Sequence, residues 1–222
     1  MITPKIIKRS DRTSLALTID DYGDLIVKAP RNMTLNEIFS FINKKQKWIE
    51  EKQSKTKSIL QRNYEVVNYE KLFYLGKLFK VYQTKGIDEP YLSNDGIIIK
   101  CTNSLTSRKN MLKSFLIKCC DDVLFPRIIT KTKRLNAEFS AIKIISSKTK
   151  WGMCDSKKNL YFNYKLLMLS PELIDYVITH EICHLSQLNH SNKFWKLVGK
   201  NMPEYKQCQK LLKDCNFLIK LF

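Results

Sequence analysis

All three histidines of the chain fall within eleven residues, at 180, 184 and 190, and the first two frame the run His180-Glu181-Ile182-Cys183-His184. Side chains four positions apart share a face only on an α-helix, where they differ by about 40° in direction and about 6 Å in height. The run therefore demands a helix. The preceding residues supply one, because Ser170-Pro171-Glu172 places an N-cap and a Pro at the first helical position, and Leu173, Tyr176, Val177 and His180 follow at helical spacing. On that helix His180 and His184 can share a metal ion. Glu181 is turned by about 100° from His180, off the ligand face, and can reach a water on the metal. Cys183 points away from the ligand face and reads as buried packing.

A third ligand is expected from the chain beyond the helix. His190 is the first choice and Glu204 the alternative. Between His184 and His190 the chain must turn back, and Asn189 is a suitable left-handed cap. Ser191 is then an N-cap for a helix through Phe194, Trp195, Leu197 and Val198, and Pro203 opens a last helix rich in Leu and Lys. Three neutral imidazoles leave the double charge of the ion uncompensated and a fourth position open, which is a catalytic arrangement; structural zinc sites close with four protein ligands. The cofactor expected is one Zn2+ ion, with another divalent metal as the alternative. Glu181 is the expected general base of a hydrolase.

Composition limits the setting. At 222 residues, 44% hydrophobic and 11% aromatic, the chain can bury a sizeable core. Its apolar runs are too short to cross a bilayer, and the stretch from Met1 to Asp11 has no apolar run of signal-peptide type. Seven scattered cysteines without a CxxC spacing fit reduced thiols, so a cytoplasmic protein without membrane contact is expected. The net charge of +18 raises a polyanionic partner such as nucleic acid. Lysines spread along almost the whole chain read first as solvated faces.

Upstream, Thr13 to Asp20 and Asp24 to Ala29 are β-prone runs split by the turn Asp21-Tyr22-Gly23, so the chain opens with a hairpin that Pro30 ends. Thr34 and Glu37 form a capping box ahead of an amphipathic helix over about 35–54, after which Gln53 to Arg62 frays into a polar connection. The runs 72–74, 78–83 and 97–100 suggest a small antiparallel sheet. Apolar positions from Met111 to Ile129 recur at threes and fours, which makes 107–134 helical, with Pro126 kinking it or opening a second segment. Ile142 to Ser147 and Leu160 to Tyr164 read as strands, and Lys148 to Cys154 as the loop between them. The expected fold class is α+β: a β-rich region with one packed helix over 1–102, then a metallohydrolase domain over 103–222 with helices and a small sheet.

The stretch from Lys148 to Tyr205 resembles the YgjP family of zinc metallopeptidases, which is similar to the SprT group of zincins. The likeness rests on Lys150-Trp151-Gly152-Met153-Cys154, Asn159-Leu160 with Asn163, Pro171-Glu172 with Asp175-Tyr176-Val177, His180-Glu181 to His184, Asn189-His190-Ser191, Phe194-Trp195 and Met202-Pro203-Glu204-Tyr205. Upstream it is weaker, resting on the basic hairpin, Ala29-Pro30, Trp48-Ile49 and Tyr74-Leu75-Gly76. The family usually has Ser where Met153 stands, so no polar role is assigned there. The resemblance implies a zincin-like C-terminal region, His180, His184 and His190 as metal ligands and Glu181 as catalytic acid/base. It also implies that strand 160–164 is an edge strand on which an extended substrate pairs. The His spacing coincides with that of metzincins too, but Gln187 stands where their loop Gly would be.

Three functions follow as expectations. In a metallopeptidase, Glu181 activates the metal-held water and then protonates the leaving amine, while Tyr205 or a nearby Lys steadies the oxyanion; the partner is a peptide or protein. In a nucleotide or phosphoanhydride hydrolase, Lys148 and Lys150 hold phosphate and Trp151 stacks on a base, although Trp151 also suits core packing. In a non-enzymatic nucleic-acid-binding module the metal helix would only support the fold, and Glu181 speaks against that reading.

Overall fold

A computed structural model describes residues 2–20 and 22–222. The chain divides into two compact units, residues 1–64 and 65–222. The first is built on a three-stranded sheet of β1 (Ile6–Ser10), β2 (Ala16–Ile19) and β3 (Leu25–Pro30) in the order β1-β3-β2. The expected hairpin is β2 and β3, antiparallel with Ile19 opposite Leu25, and β1 adds parallel to β3 on the other side. Asp21 of the hairpin turn lies outside the described residues. The turn closes through Asp20, whose Oδ1 accepts the N–H groups of Tyr22 and Asp24, both at 2.9 Å. Alternation along β3 buries Leu25, Val27 and Ala29 against Ile38, Ile42 and Ile49.

Helix α1 (Leu35–Lys44) opens with the capping box: the Glu37 N–H donates to Thr34 Oγ1 at 3.3 Å and the Thr34 N–H to Glu37 Oε2 at 2.7 Å. The helix expected over 35–54 is two helices. The chain breaks at Lys45, and α2 (Gln46–Arg62) continues through the polar stretch that reads as a fraying connection. Gln, Lys and Leu are good helix formers, and a solvated helix needs few apolar positions. Gln53 fastens it further, its Nε2 donating to the Gly23 carbonyl at 2.8 Å.

After the one-turn α3 (Tyr64–Val67), the second unit begins with β4 (Lys71–Tyr74), β5 (Lys77–Thr84), β6 (Tyr91–Leu92) and β7 (Ile97–Lys100), in the order β4-β5-β7-β6. Two of these pairings are antiparallel, but β5 and β7 run parallel, so the sheet is mixed. Residues 65–102, which the sequence groups with the hairpin, fall in the second unit. Their buried side chains Leu72, Tyr74, Ile97 and Ile99 share one core with Leu112 and Phe115 of α4 (Leu105–Arg134). The α4 helix runs through Pro126 as one element, and Ser104 caps it by accepting the Ser107 N–H at 3.2 Å.

A third sheet holds β8 (Ala141–Ile145), β9 (Gly152–Cys154) and β10 (Asn159–Asn163), with β10 in the middle, parallel to β8 and antiparallel to β9. Both neighbours of β10 are taken, so strand 160–164 is no edge; β9 is. A buried 3-10 helix, Tyr164–Met168, leads into α5 (Pro171–His184), followed by α6 (Asn192–Asn201), α7 (Tyr205–Asp214) and a 3-10 segment, Cys215–Lys220. Ser170 and Ser191 sit at the N-cap positions of α5 and α6, without side-chain cap bonds. No helix of the described residues is long and apolar enough to cross a membrane.

Two contacts fix the start of α5. Asp175 receives Arg127 at 3.1 Å and Lys131 at 3.4 Å, tying it to α4. The β4–β5 turn leans on the residue before it: the Leu75 N–H donates to the Leu167 carbonyl at 2.7 Å, and a Cβ on Gly76 would lie 2.9 Å from Ser170 Cα. Gly76 also has φ +77°, a region that disfavours side chains. Gly76→Ala is expected to cost about 1–3 kcal/mol in urea unfolding. Unchanged stability would show that Ser170 does not press on this turn.

Candidate functional site

Helix α5 enters the core along most of its length, which is why Glu181 and His184 are withdrawn from water, 7% and 8% exposed, while His180 is half-buried. The helical spacing brings His180 Nε2 to 3.2 Å from His184 Nε2, as the four-residue period requires. His190 arrives from the connection to α6, its Nε2 3.0 Å from that of His180. The turn that returns it is not made by a left-handed Asn189. The helix ends with Leu185 in right-handed conformation, the Ser186 and Gln187 N–H groups both donate to the Cys183 carbonyl, and Asn189 Oδ1 accepts the Ser191 N–H at 3.3 Å.

Each ring is held by packing or by a bond. His184 Nδ1 lies 2.9 Å from the Gln187 carbonyl oxygen. A carbonyl can only accept, so Nδ1 carries the proton and Nε2 presents a lone pair to the other two rings. Phe194 stacks on His184 with ring centres 4.4 Å apart, and Trp195 stacks on His190 at 5.5 Å. Tyr176 meets His180 edge-on at 5.9 Å. Burial, with His184 and His190 adding to it, pulls the His180 pKa down to about 3, and burial lowers that of His184 as well. Both rings are neutral at neutral pH, the form a metal takes.

The donor set fits a metal ion. His180, His184 and His190 offer ligand atoms that all lie within 4.8 Å of one another. With metal–nitrogen bonds of 2.0–2.1 Å in a tetrahedral shell, ligand nitrogens stand roughly 3.3 Å apart, close to the two spacings found. Protons alone serve the cluster poorly. A proton on His180 Nε2 can satisfy only one of its two neighbours, and a proton on Nδ1 finds no acceptor, because that buried atom has no partner among the described residues.

Beside the triad, burial raises the Glu181 carboxyl to about 8, with Lys150 pulling the other way. Gly152 of β9 backs it so closely that a Cβ there would lie 2.6 Å from Glu181 Cγ. Lys148 and Lys150 are exposed, and Lys150 Nζ lies 3.4 Å from Met153 Sδ. Trp151 is 8% exposed and its Nε1 donates to Asn216 Oδ1 at 3.4 Å, so it is core, not a platform for a base. Tyr205 stacks on the Trp195 ring, centres 5.5 Å apart, one ring behind His190. The ring-holding roles of Phe194 and Trp195 and the backing by Gly152 are not legible in the motif; only their presence in the resembling stretch marks them. A cleft of about 560 Å³ lined by Arg127, Lys131 and Asp175 includes none of the histidines.

A helix that carries two imidazoles four apart with a buried carboxyl between them, joined by a third imidazole from beyond its end, defines the HExxH class of metal-site proteins. A family model described as the YgjP-like metallopeptidase domain matches residues 13–215, and the chain belongs to that family. No curated protein matches the chain. Among solved structures it is similar to the crystal structure of the metallopeptidase zymogen of Pyrococcus abyssi abylysin, with 22% identity over 39% of this chain and 89% of that one and a TM-score of 0.36.

The pKa values set the pH response of the metal-free protein. Glu181 stands at about 8 folded against an ordinary 4.5, so the folded state binds the extra proton and stability falls as pH rises through that window. His180, about 3 against 6.5, has the opposite sign, and its contribution to stability grows as pH rises from 3 to 6.5. In chelator, the thermal stability of the wild type should therefore fall between about pH 6.5 and pH 8. Glu181→Gln should remove that decline. Parallel curves would show that this carboxyl does not titrate there.

Proposed function

We propose that the chain is a zinc-dependent peptidase in which His180, His184 and His190 hold one ion and Glu181 is the general base. The observation that carries this reading is the convergence of the three imidazoles, with His184 Nε2 left as a lone-pair donor by the Nδ1 bond to Gln187. Three nitrogen donors suit zinc better than the oxygen-seeking Mg2+ or Ca2+. An ion bound there supplies a Lewis acid that polarises a carbonyl and makes a water more acidic.

Glu181 takes the proton of the attacking water and passes it to the leaving amine. Burial raises this carboxyl in the metal-free protein, and a cation held beside it would draw it back toward the carboxylate form that a base needs. Lys150 acts in the same direction as such a cation, pulling the Glu181 pKa down against burial. Stacking by Phe194 and Trp195 fixes the imidazole planes, which preserves ligand geometry without further hydrogen bonds.

A peptide substrate is supported over a nucleotide by two features. The edge strand β9 lies against Glu181 at Gly152, where an extended peptide can add as a further strand. The buried Trp151 removes the stacking surface on which nucleotide binding would rely.

The test is metal analysis followed by peptide cleavage. Wild type is expected to carry one zinc per chain and His184→Ala none. Glu181→Gln should retain the metal and lose about 10²- to 10⁴-fold in kcat, the usual range for a lost general base. Undiminished cleavage by Glu181→Gln would contradict the assignment.

A further inference from the structure

The loop that backs Glu181 is held from behind by two residues with no exposed surface, Asn163 and Lys165. Asn163 Nδ2 donates to the carbonyls of Ser147 at 2.8 Å and Lys150 at 2.9 Å, and its own N–H donates to the Trp151 carbonyl at 2.9 Å. The same side chain accepts the Lys165 N–H at 3.2 Å, coupling the two anchors. Lys165 Nζ donates to the main-chain oxygens of Ser147 at 3.1 Å, Phe222 at 3.1 Å and Ile219. One ammonium thus joins the start of the active-site loop to the 3-10 segment Cys215–Lys220 and the two residues after it.

That segment is docked independently. The Phe222 ring packs between Tyr69 and Tyr164, with centres 5.4 and 6.1 Å away, and the Tyr69 hydroxyl donates to the Leu221 carbonyl. From the same segment, Asn216 Oδ1 receives Trp151 Nε1. The next residue is Gly152, whose backbone leaves no room for a methyl group beside Glu181. An ammonium drawn out of water costs free energy that a Met or Leu of similar reach would not. Its desolvation is visible in the Lys165 pKa, lowered to about 8 mainly by burial, with Lys109, Lys148 and Lys113 adding repulsion. Apolar packing would suffice if the segment only filled space. A fan of three directed bonds sets a position instead.

We propose that Lys165 and the segment Cys215–Phe222 form a clasp that sets the Ser147–Gly152 loop against Glu181, making Lys165 a positioning residue for that carboxyl. The proposal rests on Glu181 being the general base.

The test compares full-length wild type, Lys165→Met and Phe222→Ala by hydrogen exchange, metal content and steady-state cleavage of a fluorogenic peptide that the wild type turns over. Both variants are expected to keep one metal per chain and native exchange along α5. Amides of residues 148–152 should exchange about tenfold faster, the change that follows loss of one charge-assisted hydrogen bond. The kcat should fall about tenfold at nearly constant KM, as for an interaction felt in the transition state. Should Lys165→Met fail to fold, Phe222→Ala and the milder Asn216→Ala carry the same comparison. Unchanged loop exchange would overturn the clasp, as would loosening of α5 in step with the loop and loss of metal, the signature of a general stabilising role. If the wild type cleaves no peptide, the peptidase reading fails, and the exchange pattern alone decides whether the clasp exists.

Discussion

Three imidazole nitrogens at 3.0 and 3.2 Å spacings cannot all be satisfied by protons, and the architecture of the second unit keeps them together nonetheless. Helix α5 is buried along most of its length and pinned at its start by Asp175 and by Gly76 against Ser170. The aromatic pair on α6 holds the rings of His184 and His190, and Tyr205 supports Trp195 in turn. The site concentrates local violations of folding rules: a buried carboxyl without an ion-pair partner among the described residues and a buried His180 Nδ1 without a hydrogen bond. Such violations persist where a site needs them.

Much of this was legible because it depends on periodicity or on local chemistry. The four-residue spacing of His180 and His184 survives any packing, and the capping box at Thr34 and Glu37 is made within four residues. The single helix face from Leu112 to Ile128 follows the 3.6-residue period. Partnership between distant segments left weaker traces. Alternation along residues 160–164 reveals two faces but no neighbours, so nothing marked β10 as central or β9 as the edge. The parallel pairing of β5 with β7 was hidden in the same way. Polar Gln53 to Arg62 lacks an apolar stripe, and its sequence reads as a connection because a solvated helix needs none.

Three individual residues show where pattern ends and packing begins. Asn189 is compatible with a left-handed cap by type, but the carbonyl of Cys183 already receives the N–H groups that close the helix, so Asn189 turns the chain with its side chain. Trp151 sits between lysines as an exposed platform would, yet its indole is buried and bonded to Asn216 from a segment 65 residues further on. Lys165 belongs to the same group: in sequence it is one lysine among many, and only its enclosure by the oxygens of Ser147, Ile219 and Phe222 sets it apart. Charge composition could not distinguish it from the solvated lysines around it.

The most direct test of the central claim is X-ray absorption at the zinc edge of the zinc-loaded protein. Three imidazole ligands at roughly 2.0–2.1 Å, reduced to two in His190→Ala, are expected from a site made of His180, His184 and His190. Sulfur in the first coordination shell, or a spectrum unchanged by His190→Ala, would contradict it.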